Sequence, residues 1–476
     1  MHHMAPSDLP HSRPLPTTAS YAITVRIYAE PRASVVGQLA TAVGVAGGLV
    51  SAIDVTESRA DRLTVDVTCS ASNGEHAGEI VEALRAVDGV TVHRVSDRTF
   101  LLHLGGKISV ESKVPLKTRD DLSMAYTPGV GRVSLALAAH PEDVAKLTIK
   151  GNCVAVVTDG SAVLGLGNIG PGAALPVMEG KAALFKRFAN IDAWPICLDT
   201  QDTDEIVATV RHISPGFGGI NLEDISAPRC FEIERRLRAE LDIPVFHDDQ
   251  HGTAIVVLAA LTNALRCVSK PMSEARIVVS GGGAAGTAIV TLLLEAGVAH
   301  VLVWDREGIL APADPRLNGA KRDLAQLTNT GNITGDLHDA LRGADVFIGV
   351  SAPGVLDAAW IADMAASPIV FALANPDPEV DVDAAREFAA VLATGRSDYP
   401  NQINNVLAFP GVFRGLLDAR AREVTTAMLL GAADALAHCV SDDQLNASYI
   451  VPSVFDPAVP VAVAAAVVAA AHNTSG

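Results

Sequence analysis

Two acidic pairs carry the densest chemistry in the chain: Glu223-Asp224 in GGINLEDI and Asp248-Asp249 in IPVFHDDQHGT. Each follows a short apolar run that reads as a strand, and CFEIERRLRAEL between them has its apolar residues at helical spacing. In a strand-helix-strand unit the strands run parallel, so both pairs fall at the C-terminal edge, where open α/β sheets bind ligands. Carboxylates gathered there repel and raise one another's pKa unless a divalent cation holds them. Oxygen-only ligands suit Mg²⁺ or Mn²⁺. His247 and His251, four apart, raise a zinc alternative, weakened by the loop-like acidic pair beside them.

Further groups stand at the ends of other elements. Lys181, in GNIGPGAALPVMEGKAALFKRFA, is expected near the start of an apolar helix that follows a Gly/Pro-rich loop. It reads either as a snorkelling lysine or, held beside a metal and out of water, as a general base with a lowered pKa. Tyr126 precedes the Pro128-Gly129 turn, and CVAVVTDGSAVLGLGN predicts a hairpin about Asp159-Gly160. ARIVVSGGGAAGTAIVTLLLEAGVAHVLVWDREG reads strand, glycine-rich turn, helix, strand, acid. Gly281, Gly283 and Gly286, with Ala284 and Ala285 between them, fit a turn that lets a pyrophosphate approach a helix N-terminus. Asp305 is placed to bind a ribose hydroxyl, which favours NAD, while Arg306 beside it could accept the 2′-phosphate of NADP. Asn375 ends one later strand and Asn404-Asn405 lie beyond another, at the same edge.

These groups need a multidomain α/β scaffold. The 476 residues are 49% apolar, enough for a core in each of about two or three domains. A net charge of −18 disfavours nucleic acid or an anionic membrane as partner. Six dispersed cysteines, at 69, 153, 197, 230, 267 and 439, fit a reducing cytoplasm. Residues 1–20 read as a Pro/Ser leader without a signal-peptide core, and the apolar run 461–471 as a buried helix. Residues 21–104 alternate β-α-β-β-α-β, the order of a ferredoxin-like sandwich. That order resembles an ACT domain, which implies a module that binds a small effector, with Glu30-Pro31-Arg32 in the loop before its first helix; a dimerisation module without ligand is the alternative. Residues 105–265 are expected to form the substrate and metal domain, opening on a polar linker, and 266–440 a Rossmann-type dinucleotide-binding domain. Residues 441–476 are expected to be helical and to pack back on the substrate domain.

The motifs YTPGV, VVTDG, LGLGNIG, PVMEGKAALFK, GGINLEDI, FHDDQHGT, ALANPDPE and GRSDYPNQINNVLAFPG, in this order, resemble those of bacterial malic enzymes. The resemblance spans residues 105–440 and implies oxidative decarboxylation of (S)-malate to pyruvate and CO₂ with NAD(P), in a homodimer or higher homo-oligomer. It implies Glu223, Asp224 and Asp249 as metal ligands, Asp248 as a supporting carboxylate in the catalytic set, Lys181 as base and Tyr126 as acid. Tyr126, Lys181, Asn375 and Asn405 are implied to hold the substrate, Asn375 also reaching the cofactor. Ser161-Ala162 stand where larger members place an arginine that clamps a substrate carboxylate.

Two rival readings remain at this level. An amino-acid dehydrogenase also puts a substrate domain before a dinucleotide domain, but needs no carboxylate cluster. A catalytically silent sensor would use the N-terminal module alone, and the full set of Tyr126, Lys181 and acids argues against it.

Overall fold

Buried strands that run as continuous apolar stretches demand cover on both faces, and the chain meets that demand twice after a smaller antiparallel domain. The computed structural model describes residues 17–163 and 165–474, so most of the expected leader, to residue 16, lies outside them. The chain divides into two units, Met1–Ser109 and Val110–Gly476.

In the first unit the elements are β1 (Thr18–Ala29), α1 (Val35–Val45), β2 (Leu49–Ser58), β3 (Leu63–Ala71), α2 (Gly74–Arg85), β4 (Val90–Asp97) and the short α3 (Arg98–His103). The sheet is antiparallel in the order β2-β3-β1-β4, the ferredoxin-like arrangement that the alternation predicts. Every second residue of β3 from Val65 to Ala71 is buried, and these pack with Leu39 and Val43 of α1 and Ile80 and Leu84 of α2. Asn73 caps α2 by accepting from the His76 N–H.

The second unit opens on residues 110–118, which form no helix or strand; the linker expected over residues 105–123 is cut short because Thr118 caps a helix that starts at Arg119. Three short helices follow: α4 (Arg119–Ala125), α5 (Gly129–Ala139) and α6 (Val144–Leu147). Then come β5 (Cys153–Thr158), α7 (Pro171–Ala189), β6 (Asp192–Cys197), α8 (Thr203–Ile213), β7 (Gly219–Leu222), α9 (Arg229–Glu240) and β8 (Val245–His247). Their sheet is fully parallel in the order β6-β5-β7-β8. The order reverses at β5, so a crevice opens beyond the C-terminal ends of β5 and β7. The hairpin expected at Asp159-Gly160 does not form. All six residues of β5 are buried, its partners β6 and β7 are parallel, and the glycine-interrupted return makes only an isolated bridge from Val163 to Gly167. Nor does Lys181 stand near a helix start. Pro171 occupies the first turn and the helix takes in Pro176, so the lysine falls in the middle of α7.

A π-helical turn, Asp248–Gly252, leads into α10 (Thr253–Cys267), which is buried along nearly its whole length. The second sheet uses β9 (Arg276–Ser280), α11 (Ala284–Glu295), β10 (His300–Asp305), β11 (Gly308–Ile309), α12 (Gly319–Thr328), α13 (Leu337–Leu341), β12 (Val346–Gly349), β13 (Ile369–Ala372), α14 (Val382–Ala385) and β14 (Val391–Thr394). Its order is β11-β10-β9-β12-β13-β14, parallel apart from β11, with the switch point between β9 and β12.

The chain closes with α15 (Phe409–Ala419), α16 (Thr426–His438) and α17 (Ala458–Thr474). Helix α15 lies against α7, whereas α17, the helix within the 441–476 segment, packs on α15 and α16. The run 461–471 is only half buried, since Val463 and Val467 face inward while Val461 is exposed. Gly411 and Gly415 admit α17 closely, because a Cβ on Gly415 would come within 2.7 Å of the Ala464 carbonyl oxygen and of Val467. Among the described residues no helix is long and apolar enough to cross a membrane.

One hydrophobic core runs from the first sheet of this unit through α10 into the second. Beneath α7 it is aromatic: the Phe413 ring meets Phe185 edge-on at 5.2 Å and Phe246 at 5.6 Å. Phe413→Ala should therefore destabilise this unit by about 3–5 kcal/mol. Urea unfolding followed by tryptophan fluorescence checks this, and a loss below about 1 kcal/mol would show the cluster to be loosely packed.

Candidate active site

The parallel topology sends the ends of β5, β7 and β8 to one edge, and the acids arrive there together. Glu223 and Asp224 follow β7 directly, while Asp248 and Asp249 begin the turn after β8. Oxygen atoms of Glu223, Asp224 and Asp249 all lie within 4.8 Å of one another. Asp224 has a left-handed backbone, φ +54°, uncommon for a residue with a side chain. Its N–H donates to Asp249 Oδ2 at 2.8 Å, and its carbonyl accepts from Ala162 N–H at 2.9 Å, so the turn is fixed from both sides.

Lys181 reaches this cluster from α7. Its side chain is almost fully buried, with Nζ 2.6 Å from Asp248 Oδ2, 2.8 Å from Glu223 Oε1 and 4.3 Å from the centre of the Phe409 ring. Asn405 donates to the same oxygen of Asp248, and Asn221 Nδ2 donates to Glu223 Oε2 at 2.8 Å. Asp248 thus holds both the lysine and an amide.

Burial pushes the Lys181 ammonium down, but the negative charges of Asp248 and Glu223 outweigh it and hold the group above the ordinary lysine range. The lowered pKa expected of a base is therefore not present with the carboxylates unneutralised. Glu223 is raised well above the usual carboxylate range, first by burial and then by its acidic neighbours, despite Lys181. Asp248 is raised, chiefly by burial. Burial acts in the same direction on Asp249, yet the hydrogen bond from His247 brings it below the usual range. Three buried carboxylates and the half-buried Asp249 around one lysine leave an excess of negative charge, and three all-oxygen donors within one ion's reach fit a hard divalent cation.

The histidines are otherwise engaged. His247 Nε2 lies 3.1 Å from Asp249 and its Nδ1 2.6 Å from Gln250 Nε2, whereas His251 Nε2 lies 2.7 Å from Glu234. They share no ligand position, so the zinc alternative has no geometry to support it. Glu234 also accepts from Gln250 at 3.1 Å, tying α9 to the turn that carries the acids. The sequence reading missed Glu234, although it occupies the buried stripe of α9 with Cys230, Ile233 and Leu237.

Tyr126 is not brought in. It ends α4 with 67% of its surface exposed, and no hydrogen bond or ring contact among the described residues joins it to Lys181 or the acids. Asn375 lies three residues past β13, and its carbonyl oxygen comes close enough to Gly165 to exclude a Cβ there. In the loop lacking the arginine, Ser161 Oγ and N–H both donate to Asp159 Oδ1, and Arg229 lies 2.9 Å from Asp159 Oδ2.

At the second sheet the glycine-rich turn forms as expected. Gly281 has φ +115°, and a Cβ on Gly286 would approach the Gly281 carbonyl oxygen to 1.8 Å, so neither position tolerates a side chain without displacement. Gly283 precedes α11, whose first residues Ala284 and Ala285 turn their N–H groups to the crevice. Asp305 ends β10, accepts from the N–H of Gly282 and of Arg306, and pairs with Lys321 at 2.8 Å. Burial would raise the Asp305 carboxyl, but Lys321 and these N–H groups hold it low. Arg306 is exposed, and the basic partner of the acid is Lys321 from α12, which sequence spacing did not reveal.

Comparison with known proteins agrees with this geometry. Residues 105–238 match the family model for the malic enzyme N-terminal domain, and residues 250–472 that for the malic enzyme NAD binding domain. The chain is 56% identical over 460 residues to an NAD-dependent malic enzyme of Geobacillus stearothermophilus, covering 97% of this chain and 96% of that protein. It is 53% identical over 371 residues to a bifunctional malic/malolactic enzyme of Bacillus subtilis, covering 78% and 90%. The crystal structure of an NAD-dependent malic enzyme from Thermotoga maritima superposes with a TM-score of 0.75 at 50% identity, over 78% of this chain and 99% of that one. With both domain models matched in order and near-full-length similarity, the chain belongs to the malic enzyme family.

Proposed function

We propose that this malic enzyme oxidatively decarboxylates (S)-malate with Mg²⁺ or Mn²⁺ at Glu223, Asp224 and Asp249 and with NAD in the crevice between β9 and β12. The observation that carries the reading is the buried Lys181 between Asp248 and Glu223, directly beside the three-carboxylate group. A cation bound there would acidify the substrate hydroxyl and stabilise the negative charge that develops as CO₂ leaves. Lys181 takes the hydroxyl proton while hydride leaves C2 for the nicotinamide. It can do so only once the carboxylate charge around it is neutralised, because burial lowers its proton affinity and Asp248 and Glu223 restore it. Asp248 and Asn405 keep the lysine in place, and Asn375 and Asn405 offer amides to the substrate carboxylates. The Asp305–Lys321 pair supports NAD, since the acid suits a free ribose diol; Lys321 and Arg306 keep NADP within reach.

Protonation of the enolate carbon falls to Tyr126, supplied by a second copy of the chain in a homodimer. Helices α4 and α5 bury no residue, yet they expose Leu122, Met124, Val133 and Leu135. Helices this short do not hold together alone in water. The loop before α7 and the first turns of that helix likewise expose Leu166, Ile169 and Leu175. The N-terminal unit is an ACT-like module for a small effector, with Arg32 paired to Asp88 and close to Glu30 in the loop before α1. The six free cysteines fit the cytoplasm.

Lys181→Ala should reduce kcat by about 10²–10⁴ while leaving NADH affinity unchanged. Fluorescence titration with NADH checks the second part; lost cofactor affinity would mean the lysine belongs to the cofactor site. Shared sites make a sharper demand. Tyr126→Phe and Lys181→Ala chains, each nearly inactive alone, should on equimolar refolding recover about a quarter of wild-type activity, because half the dimers then hold one intact site. No recovery would place Tyr126 in the site of its own chain.

A further inference from the structure

Glu379 is fully buried beyond the ends of β12 and β13 and takes no part in the chemistry described above. Its Oε1 accepts from the Ser351 N–H at 2.9 Å and its Oε2 from the Ala374 N–H at 3.0 Å, so one carboxylate joins the loops that leave the two strands. The fit is close. A Cβ on Gly349 would lie 2.4 Å from the Glu379 carboxyl carbon, so only glycine leaves room for the acid. The chain of contacts continues from Ser351 Oγ to Ser280 Oγ at 2.8 Å, and Ser280 immediately precedes the glycine-rich turn. On the other side, Ala374 immediately precedes Asn375. A single side chain therefore references the pyrophosphate turn, the loop after β12 and the Asn375 loop to one another.

The charge is as telling as the connections. Burial pushes the Glu379 carboxyl up, while the Ser351 and Ala374 N–H groups donating to its two oxygens pull it back and favour the ionised form; among the described residues no lysine, arginine or histidine pairs with it. An uncompensated buried charge is costly, so a scaffold that needed only a loop tie would be better served by a neutral group. With Asp305 at the adenosine ribose and the pyrophosphate at Gly281–Gly286, the remaining half of the dinucleotide extends over β12 and β13, the side where Glu379 lies. The oxidised nicotinamide ring is a cation and the reduced ring is neutral.

We propose that Glu379 is a positioning residue for the nicotinamide half of the cofactor: it fixes the three loops of that crevice, and its unpaired charge favours the oxidised ring over the reduced one. The inference rests on the cofactor crevice proposed above. Its test compares dissociation constants of NAD⁺ and NADH for wild type and Glu379→Gln, by calorimetry on the full chain with thermal melting as a control. The expected result is about a tenfold loss for NAD⁺ with less than about a threefold loss for NADH. Equal losses for the two forms, or none, would overturn the proposal, because a purely structural tie does not distinguish the ring's charge. If Glu379→Gln does not fold, Ser280→Ala cuts the hydroxyl bridge and spares the charge; it should weaken both forms about equally by a few fold, and unchanged binding would overturn the link. Gly286→Ala separates the two ideas: normal NADH binding by that variant would sink the crevice itself, whereas its loss with a silent Glu379→Gln would sink the Glu379 inference alone.

Discussion

Three buried carboxylates and the half-buried Asp249 gather beside one lysine, and the rest of the second unit is arranged to make that tolerable. A charge removed from water has to be matched by an opposite charge or by donors. Lys181 supplies a single positive charge to Asp248 and Glu223, with Asn221 and Asn405 adding donors. His247 and the Asp224 N–H serve Asp249. The remaining negative excess suits a divalent cation, and the same excess holds Lys181 above the ordinary lysine range. In the proposed function, metal loading and base activation would be one electrostatic event.

Topology explains why these groups can meet at all. Parallel strands deliver their C-terminal ends to one edge, and both sheets of this unit reverse their strand order, at β5 and at β9. The acids line the first crevice and the glycine-rich turn the second. Helix α10, buried between the sheets, begins where the turn carrying Asp248 and Asp249 ends, so a single continuous stretch joins the acidic cluster to the shared core.

Much of this was legible in the sequence because period and strand ends are local. The alternation over residues 21–104 predicts the antiparallel sheet, and the strand-helix-strand pattern puts the two acidic pairs at one edge. What escaped was set by contacts between distant segments. The depth of Lys181 was misread because glycines and prolines disguised the true start of α7. The false hairpin arose because the alternation about Asp159 looks the same whether β5 pairs with its return or with two parallel neighbours. Lys321 and Glu379 act across loops that carry no period, although Glu234 did leave a mark as an acid on a buried helical stripe. Tyr126 is the instructive case. Its motif points to the site, whereas in the fold it ends α4 with most of its surface exposed and, among the described residues, without a contact to Lys181 or the acids.

The claim on which everything else rests is that the cluster at the end of β7 and β8 is a cation site. Titration of the purified chain with Mn²⁺, followed by electron paramagnetic resonance without substrate or turnover, addresses it directly. The account predicts one tightly held ion per wild-type chain and an affinity more than about tenfold weaker in Asp249→Asn. An unchanged titration in that variant would contradict the account and remove the carboxylate cluster from the metal site.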